Sequence, residues 1–292
     1  MYSFSEWMDT LVQGTLTGGL YALFAIGLSL TYGVMRLVNI AHGDFIILAA
    51  YIALAIGGAT GLHPFATLPI VVLVMFAIGY SLQRIVLNRT LGQDILPPLL
   101  VTFGMSILVQ NALLEGFSAD TNSLQIGDFG TASVQFSHNL IIGLLPLLIF
   151  VSAVVLTAMI TLLFKKTTLG IVFRAASDDQ QTAQLVGIKN RHAYGLAMGI
   201  AFALMAVGGV FLGAKTSFTP DMGPSFLLYA FESVVIGGLG SFWGTFLGAI
   251  LLGIAQGIGY KFNPGWGILA GHLLFLVVLL FKPTGLFAKT QS

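Results

Sequence analysis

Nine apolar runs, separated by short polar or glycine-rich gaps, fall at about 10–33, 41–59, 65–87, 95–114, 140–164, 193–214, 226–240, 243–260 and 266–282. Most approach the roughly 20 apolar residues that a bilayer-crossing helix needs. The seventh is short, and Gly237, Gly238, Gly240 and Gly244 interrupt it and the eighth, so the two also read as one broken segment and give an alternative count of eight. No Lys or Arg precedes the first run, which continues past the ~7–15 residues of a signal-peptide core, so it is read as a mature helix. The pattern predicts an all-α membrane protein, a polytopic bundle of about nine spans.

Composition closes off the soluble alternatives. The chain has 292 residues, 57% hydrophobic and only 8% charged, against about 25% charged in soluble domains. A formal net charge of +1 leaves no basic surplus for nucleic acid, and the absence of cysteine removes disulfides, thiolate metal sites and cysteine nucleophiles. Basic residues fall in every second connection: Arg36; Arg84 and Arg89; Lys165, Lys166, Arg174, Lys189 and Arg191; Lys282 and Lys289. The positive-inside bias assigns those connections to the cytoplasm. The segment from Glu115 to Asn139 and the N-terminal stretch carry acidic residues without Lys or Arg and are assigned outside, Lys215 and Lys261 being exceptions. N-terminus out and C-terminus in requires an odd number of spans and favours nine.

Shifting the sequence against itself by 180 residues superposes Gly19 on Gly199, Gly33 on Gly213, Gly43 on Gly223, Gly57-Gly58 on Gly237-Gly238 and Gly79-Tyr80 on Gly259-Tyr260. Six glycine coincidences exceed the about two that glycine density alone predicts. The match reads residues 1–292 as a single transmembrane domain: repeat 1 at about 10–114, a connector span at 140–164, a cytoplasmic loop at 165–192 and repeat 2 at about 193–282. One connecting helix inverts the second copy, and inverted repeats are common in transporters, with the pathway near the repeat interface. Most of these glycines also suit plain close packing of helices. The pairs Gly57-Gly58 and Gly237-Gly238 are expected to break the second helix of each repeat.

Polar groups in hydrocarbon are costly unless they face protein or water. Asn39, His42 and Asp44, between the first two spans, are candidates for a pathway or gate, or for simple helix capping. Glu232, inside the seventh span, is either a pathway group or an internal hydrogen-bonding lock. Gln110, Asn111 and His272 are read as interhelical hydrogen-bonding groups. The 165–192 loop predicts a short amphipathic helix with Phe173, Ala176, Ala183 and Val186 on one surface, Asp178 and Asp179 ahead of a helical run and Gly187 ending it. Such a helix can dock a protein partner or lie on the anionic inner leaflet.

Gly-Leu-Ser-Leu-Thr-Tyr-Gly-Val-Met at 27–35, Asn-Ile-Ala-His-Gly-Asp-Phe at 39–45, Arg-Ala-Ala-Ser-Asp-Asp at 174–179, Val-Gly-Ile at 186–188 and Val-Ile-Gly-Gly-Leu-Gly-Ser at 235–241 together resemble the LivH-type permeases of bacterial ABC importers for branched-chain amino acids. The resemblance covers almost the whole chain. It implies an inner-membrane subunit paired with a LivM-type permease (a heterodimer, with a homodimer as the alternative), two cytoplasmic ATPases and a periplasmic binding protein. The chain itself is then no enzyme and holds no cofactor, ATP and Mg belonging to the ATPases, in keeping with the lack of a G-x-x-x-x-G-K-[ST] phosphate loop. The resemblance makes the loop bearing Arg174, Ala175, Ala176, Asp178, Asp179 and Gly187 the coupling element that enters an ATPase cleft. The wider ABC-permease pattern has Glu-Ala-Ala and a glycine soon after; Arg174-Ala175-Ala176 and the later Gly187 depart from it, so only the loop's location carries over.

Related permeases serve urea, short amides and other amino acids, which keeps urea or a short amide as an alternative cargo. An ion-coupled secondary transporter using Glu232, Asp44 and His42 is the main rival. An intramembrane enzyme fares worse, because the histidines form no H-E-x-x-H and the spans bring no Ser/His/Asp set together; no metal site is expected. A passive channel requires a continuous polar stripe, which no span shows clearly.

Overall fold

The computed structural model describes residues 3–90, 96–137 and 140–287; Ile95, Asn139 and Lys289 lie outside the described residues. Eleven helices occur among them: α1 (Phe4–Met35), α2 (His42–Thr60), α3 (Pro64–Ile85), α4 (Leu96–Phe117), α5 (Leu144–Lys166), α6 (Thr168–Asp178), α7 (Gln180–Leu185), α8 (Asn190–Lys215), α9 (Gly223–Gly237), α10 (Phe242–Phe262) and α11 (Trp266–Phe281). The chain is an all-α polytopic membrane protein. Seven described helices, α1 to α5, α8 and α10, are long and apolar enough to cross a bilayer. The other two runs form shorter helices: the 15 residues of α9 and 16 of α11 span only about 22–24 Å at 1.5 Å per residue, against a hydrocarbon core of about 30 Å.

Local chemistry sets the helix ends. Ser3 and Glu6 form a reciprocal capping box at the start of α1. The His63 ring and Pro64 start α3, and Ser241 caps α10. The expected break at Gly57-Gly58 is not there: α2 runs through both and stops at Gly61, whose φ of 71° closes the helix through its N–H to the Gly57 carbonyl. Two helical glycines weaken a helix by only about 1 kcal/mol each, too little to end one whose outer turns keep their hydrogen bonds. At the corresponding place Gly237 is the last residue of α9, followed by Gly238 at φ 107°.

The run expected as a span from residue 140 opens instead as a strand. β1 (Ser133–Ser137) and β2 (Leu140–Gly143) pair antiparallel with an irregularity between Gln135 and Ser137, and α5 begins only at Leu144. Ile141 and Ile142 are β-branched residues that suit a pleated ladder. Hydropathy alone does not separate such a strand from a helix.

Apolar surface gains little from leaving lipid for protein, so the bundle is held by close approach and packing. α1 lies antiparallel on α10, Gly14 against Ile254 and Gly18 against Ile250. α8 lies antiparallel on α3, Gly195 against Tyr80 and Gly199 against Phe76. The first helix of each candidate repeat therefore rests on the third helix of the other. α1 and α8 cross in the core, Gly27 meeting Ala201 and Gly208 meeting Phe24, around the fully buried Phe24, Phe202 and Met205.

Candidate functional site

Residues 36–41 do not simply turn at a bilayer face. Arg36 takes a left-handed φ of 52° that ends α1, and the chain then runs back along it until His42 Nε2 donates to the Phe24 carbonyl at 2.7 Å. Phe24 lies eleven residues before Met35, or about 16 Å along the helix, so α2 begins level with the middle of α1. α9 starts at the same level: Gly223 abuts Gly43 and Asp44, and a Cβ on Gly43 would also stand 2.7 Å from Leu227 N. The two residues that the 180-residue shift superposes are thus in contact, and the N-termini of two helices meet inside the bundle.

α4 supplies a polar seam to this junction at spacings of four. Thr102 Oγ1 accepts from Ile40 N at 3.2 Å, while Gln110 Nε2 donates to Asp44 Oδ1 at 2.8 Å and to Ser106 Oγ at 3.2 Å. Residues four apart share one helix face, so a single α4 stripe holds both the re-entrant segment and the first turn of α2. Asn39 Oδ1 accepts from Ala41 N at 3.0 Å. Asn39 Nδ2, His42 Nδ1 and Asp44 Oδ2 are buried without a partner, and all three residues are 1% exposed or less. A carboxylate at this place sits beside helix N-termini, whose exposed amides favour negative charge.

Glu232 stands apart from that trio. It is nine residues into α9 from Gly223, about 13 Å along the helix, and its Oε1 lies 2.5 Å from His272 Nδ1 on α11. Nearby, Tyr21 of α1 donates to Gln256 Oε1 of α10 at 2.6 Å and packs against Tyr229 at 4.9 Å between ring centres. These contacts join α1, α9, α10 and α11. The reading of Gln110 and His272 as interhelical hydrogen-bonding groups matches these contacts; Asn111 instead donates to Ile107 O within α4.

At the other end of the bundle, the expected single amphipathic helix is two. α6 ends at Asp178; Asp179 is extended and caps α7 by accepting from Gln181 N and Thr182 N, which holds its carboxyl below the ordinary aspartate range, chiefly through the Thr182 hydroxyl. Phe173, Ala176 and Ala183 are buried, but Val186 is 72% exposed and Leu185 87%. The split rotates Val186 off the buried face, because Asp179 interrupts the helical period. Gly187 follows with φ 91°. α6 is tied to three spans: Arg174 donates to the Phe164 carbonyl of α5, Ser177 Oγ to Gly33 O of α1 at 2.9 Å, and Tyr194 of α8 to Ala176 O at 3.2 Å. Ala175 is half-buried.

The pattern of the family described as branched-chain amino acid transport system / permease component matches residues 10–280. The chain belongs to this family. The high-affinity branched-chain amino acid transport system permease protein BraD of Pseudomonas aeruginosa is 31% identical over 98% of this permease and 97% of its own length. LivH of Escherichia coli is 28% identical, with 99% and 97% covered, and the LivM permease of the same organism is 25% identical, with 93% and 68% covered. No solved structure matches it. The family is a membrane permease component, not a catalyst. Among the described residues of the permease, no group of three or more His, Asp or Glu is placed to hold a metal ion.

Two features of the permease escaped sequence reading. Thr102 and Ser106 continue the line of Gln110 at four-residue spacing, a signal present in the sequence but hidden by the apolar residues between them. Thr10, Gln13, Thr17 and Tyr21 likewise form a stripe on α1, facing Gln256 and Tyr260 of α10 across a cleft of about 530 Å³.

Proposed function

We propose that this permease carries branched-chain or related aliphatic amino acids across the bacterial inner membrane as one of two membrane subunits of an ATP-driven importer. A periplasmic binding protein delivers the cargo, a LivM-like chain is the second permease, and two cytoplasmic ATPases bind ATP and Mg. The observation that carries the reading is near-full-length similarity to BraD and LivH. Urea or a short amide finds no comparable support among these relatives.

The inverted repeat is supported by the exchange of packing partners between α1–α10 and α8–α3 and by the contact of Gly43 with Gly223. N-terminus periplasmic and C-terminus cytoplasmic is supported by the Lys/Arg bias and by the location of the basic α6–α7 loop. That loop meets the C-terminal end of α1, whereas the acidic stretch at 115–137 and strand β2 lie toward its N-terminal end, where Gln13 Nε2 donates to Ile141 O at 2.8 Å.

In this reading α6 and α7 form the coupling element, with Leu185 and Val186 turned toward an ATPase. Closure of the ATPase pair displaces α6, and Arg174, Ser177 and Tyr194 pass the displacement to α5, α1 and α8. The end of α1 continues directly into residues 36–41, so its movement reaches Asn39, His42 and Asp44, the proposed gate. Glu232, tied to His272, braces α9 against α11. Purification of the tagged chain from native membranes tests the proposal: two ATPases and a second permease should accompany it. Recovery of the chain alone, with transport driven by an ion gradient, makes it a secondary transporter instead.

A further inference from the structure

The cleft between the N-terminal half of α1 and the C-terminal half of α10 has no part in the gate just described. Its lining changes character with depth. Asp9 and Lys261, of opposite sign, lie at the helix-end level, and Gln13, Thr17, Tyr21 and Gln256 follow inward. From Asp9 to Tyr21 is twelve residues, or about 18 Å of helix, and along it the lining offers hydroxyls and amides but no further fixed charge. A lipid headgroup cleft would be polar at the rim and apolar below; this one stays polar inward. Its floor is the Tyr21 to Gln256 hydrogen bond at 2.6 Å, and Gln256 is 2% exposed with its Nε2 unpartnered. Gln256 Nε2 turns away from the cleft, toward Gly271 of α11; the Tyr21 phenol gives its hydrogen to Gln256, which leaves lone pairs on its oxygen to accept from a donor in the cleft.

A cleft of about 530 Å³ falls in the usual ~300–1,000 Å³ range of small-molecule sites. We propose that this cleft is a holding site, within one subunit, for a small zwitterionic solute, with the Tyr21–Gln256 pair as its floor. The inference rests on the amino-acid reading above. Asp9 accepts from Gln13 Nε2 at 3.3 Å and Lys261 Nζ donates to Thr10 Oγ1 at 3.1 Å, so a molecule with both an ammonium and a carboxylate meets one charge of each sign at the mouth, held in place by the lining. Neutral donors and acceptors below hydrogen-bond it without trapping either sign, and the backbone of Gly14, Gly253 and Gly257 gives an aliphatic side chain a flat wall.

The chain lacks cysteine, so Thr17→Cys in the assembled importer places a single reporter in the cleft, and Ser123→Cys places one in the exposed connection before β1 as a control. Leaky membranes let a water-soluble maleimide reach both faces. Labelling of the Thr17→Cys chain should slow at least about fivefold in saturating leucine, with Ser123→Cys unaffected. Tyr21→Phe should raise the leucine KM by about tenfold, the equivalent of one lost hydrogen bond, at unchanged membrane level. Water-soluble labelling that leucine does not slow, in an importer that transports leucine, overturns the holding site and leaves the importer intact. Reaction only with a membrane-soluble maleimide shows a lipid groove and also overturns it. An assembled importer that moves no aliphatic amino acid removes the functional reading on which the site depends.

Discussion

The sharpest structural consequence concerns one substitution made at two glycines of the same helix. At Gly43 a methyl group would run into the backbone carbonyl of Gly223 and stand 2.7 Å from Leu227 N. The obstacle is main chain on a neighbouring helix, so no side-chain rotation relieves it. Overpacking of this kind costs about 1–3 kcal/mol when neighbours can adjust, and more when backbone must move. At Gly58, near the exposed end of α2, a Cβ meets nothing within 4 Å. There Gly→Ala should stabilise the helix by about 0.5–1 kcal/mol. With about 2 °C of melting temperature per kcal/mol in a chain of this size, Gly58→Ala should melt about 1–2 °C above the native protein. Gly43→Ala should melt about 6 °C or more below it, or fail to assemble. The assay is thermal denaturation of the purified complex in nanodiscs, with transport measured in parallel. Equal melting of Gly43→Ala and the native chain would refute the meeting of α2 and α9, and with it the placement of the gate.

Other consequences follow from the same contacts. Arg174→Glu with Asp178→Arg sets a carboxylate against the terminal carbonyls of α5 where Arg174 now donates; membrane insertion should persist while ATPase co-purification or uptake is lost, and normal values of both would contradict the coupling role. Glu232→Gln keeps an oxygen that accepts from His272 and should retain assembly and uptake, whereas Glu232→Leu strands His272 and should destabilise the bundle by about 1–3 kcal/mol; loss of uptake by an assembled Glu232→Gln importer would make the charge itself functional. The Asp179 carboxyl lies below its ordinary range in the folded chain because it caps α7. Its stabilisation is therefore complete above the ordinary aspartate range and disappears as pH falls through the lowered value. The protection of the α7 amides, exchange measured relative to the intrinsic rate at each pH, should fall in acid for the native chain and show no such step in Asp179→Ala; identical protection profiles would remove the cap from the account.

Apolar runs place helices well because lipid demands that every span satisfy its own backbone: the run at 193–214 became Asn190–Lys215, and that at 65–87 became Pro64–Ile85. Depth is not written in hydropathy. Residues 36–41 read as a surface connection, yet they fold back so that His42 reaches Phe24. The shortness of α9 has a related origin, because its first turn is set by contact with Gly43 and Asp44 inside the bundle. Asn39, His42 and Asp44 were legible as out-of-place polar residues, and so was Gln110 on α4, but Thr102 and Ser106 were not. Thr102 and Ser106 are small hydroxyl residues that a helix in lipid can hold by back-bonding to its own carbonyls, so they raise no alarm until the neighbouring helix is known. Glu232 was equally conspicuous, but its contact with His272 forty residues away depends on tertiary structure.

Reconstitution is the most direct test of the central claim. The permease, co-purified with its membrane and ATPase partners, is placed in proteoliposomes with the binding protein outside, and uptake of labelled leucine and urea is followed with and without enclosed ATP. The account predicts leucine accumulation that requires ATP and the binding protein, with no urea uptake. Leucine uptake by this chain alone under an ion gradient, or ATP-driven uptake of urea without leucine, would contradict it.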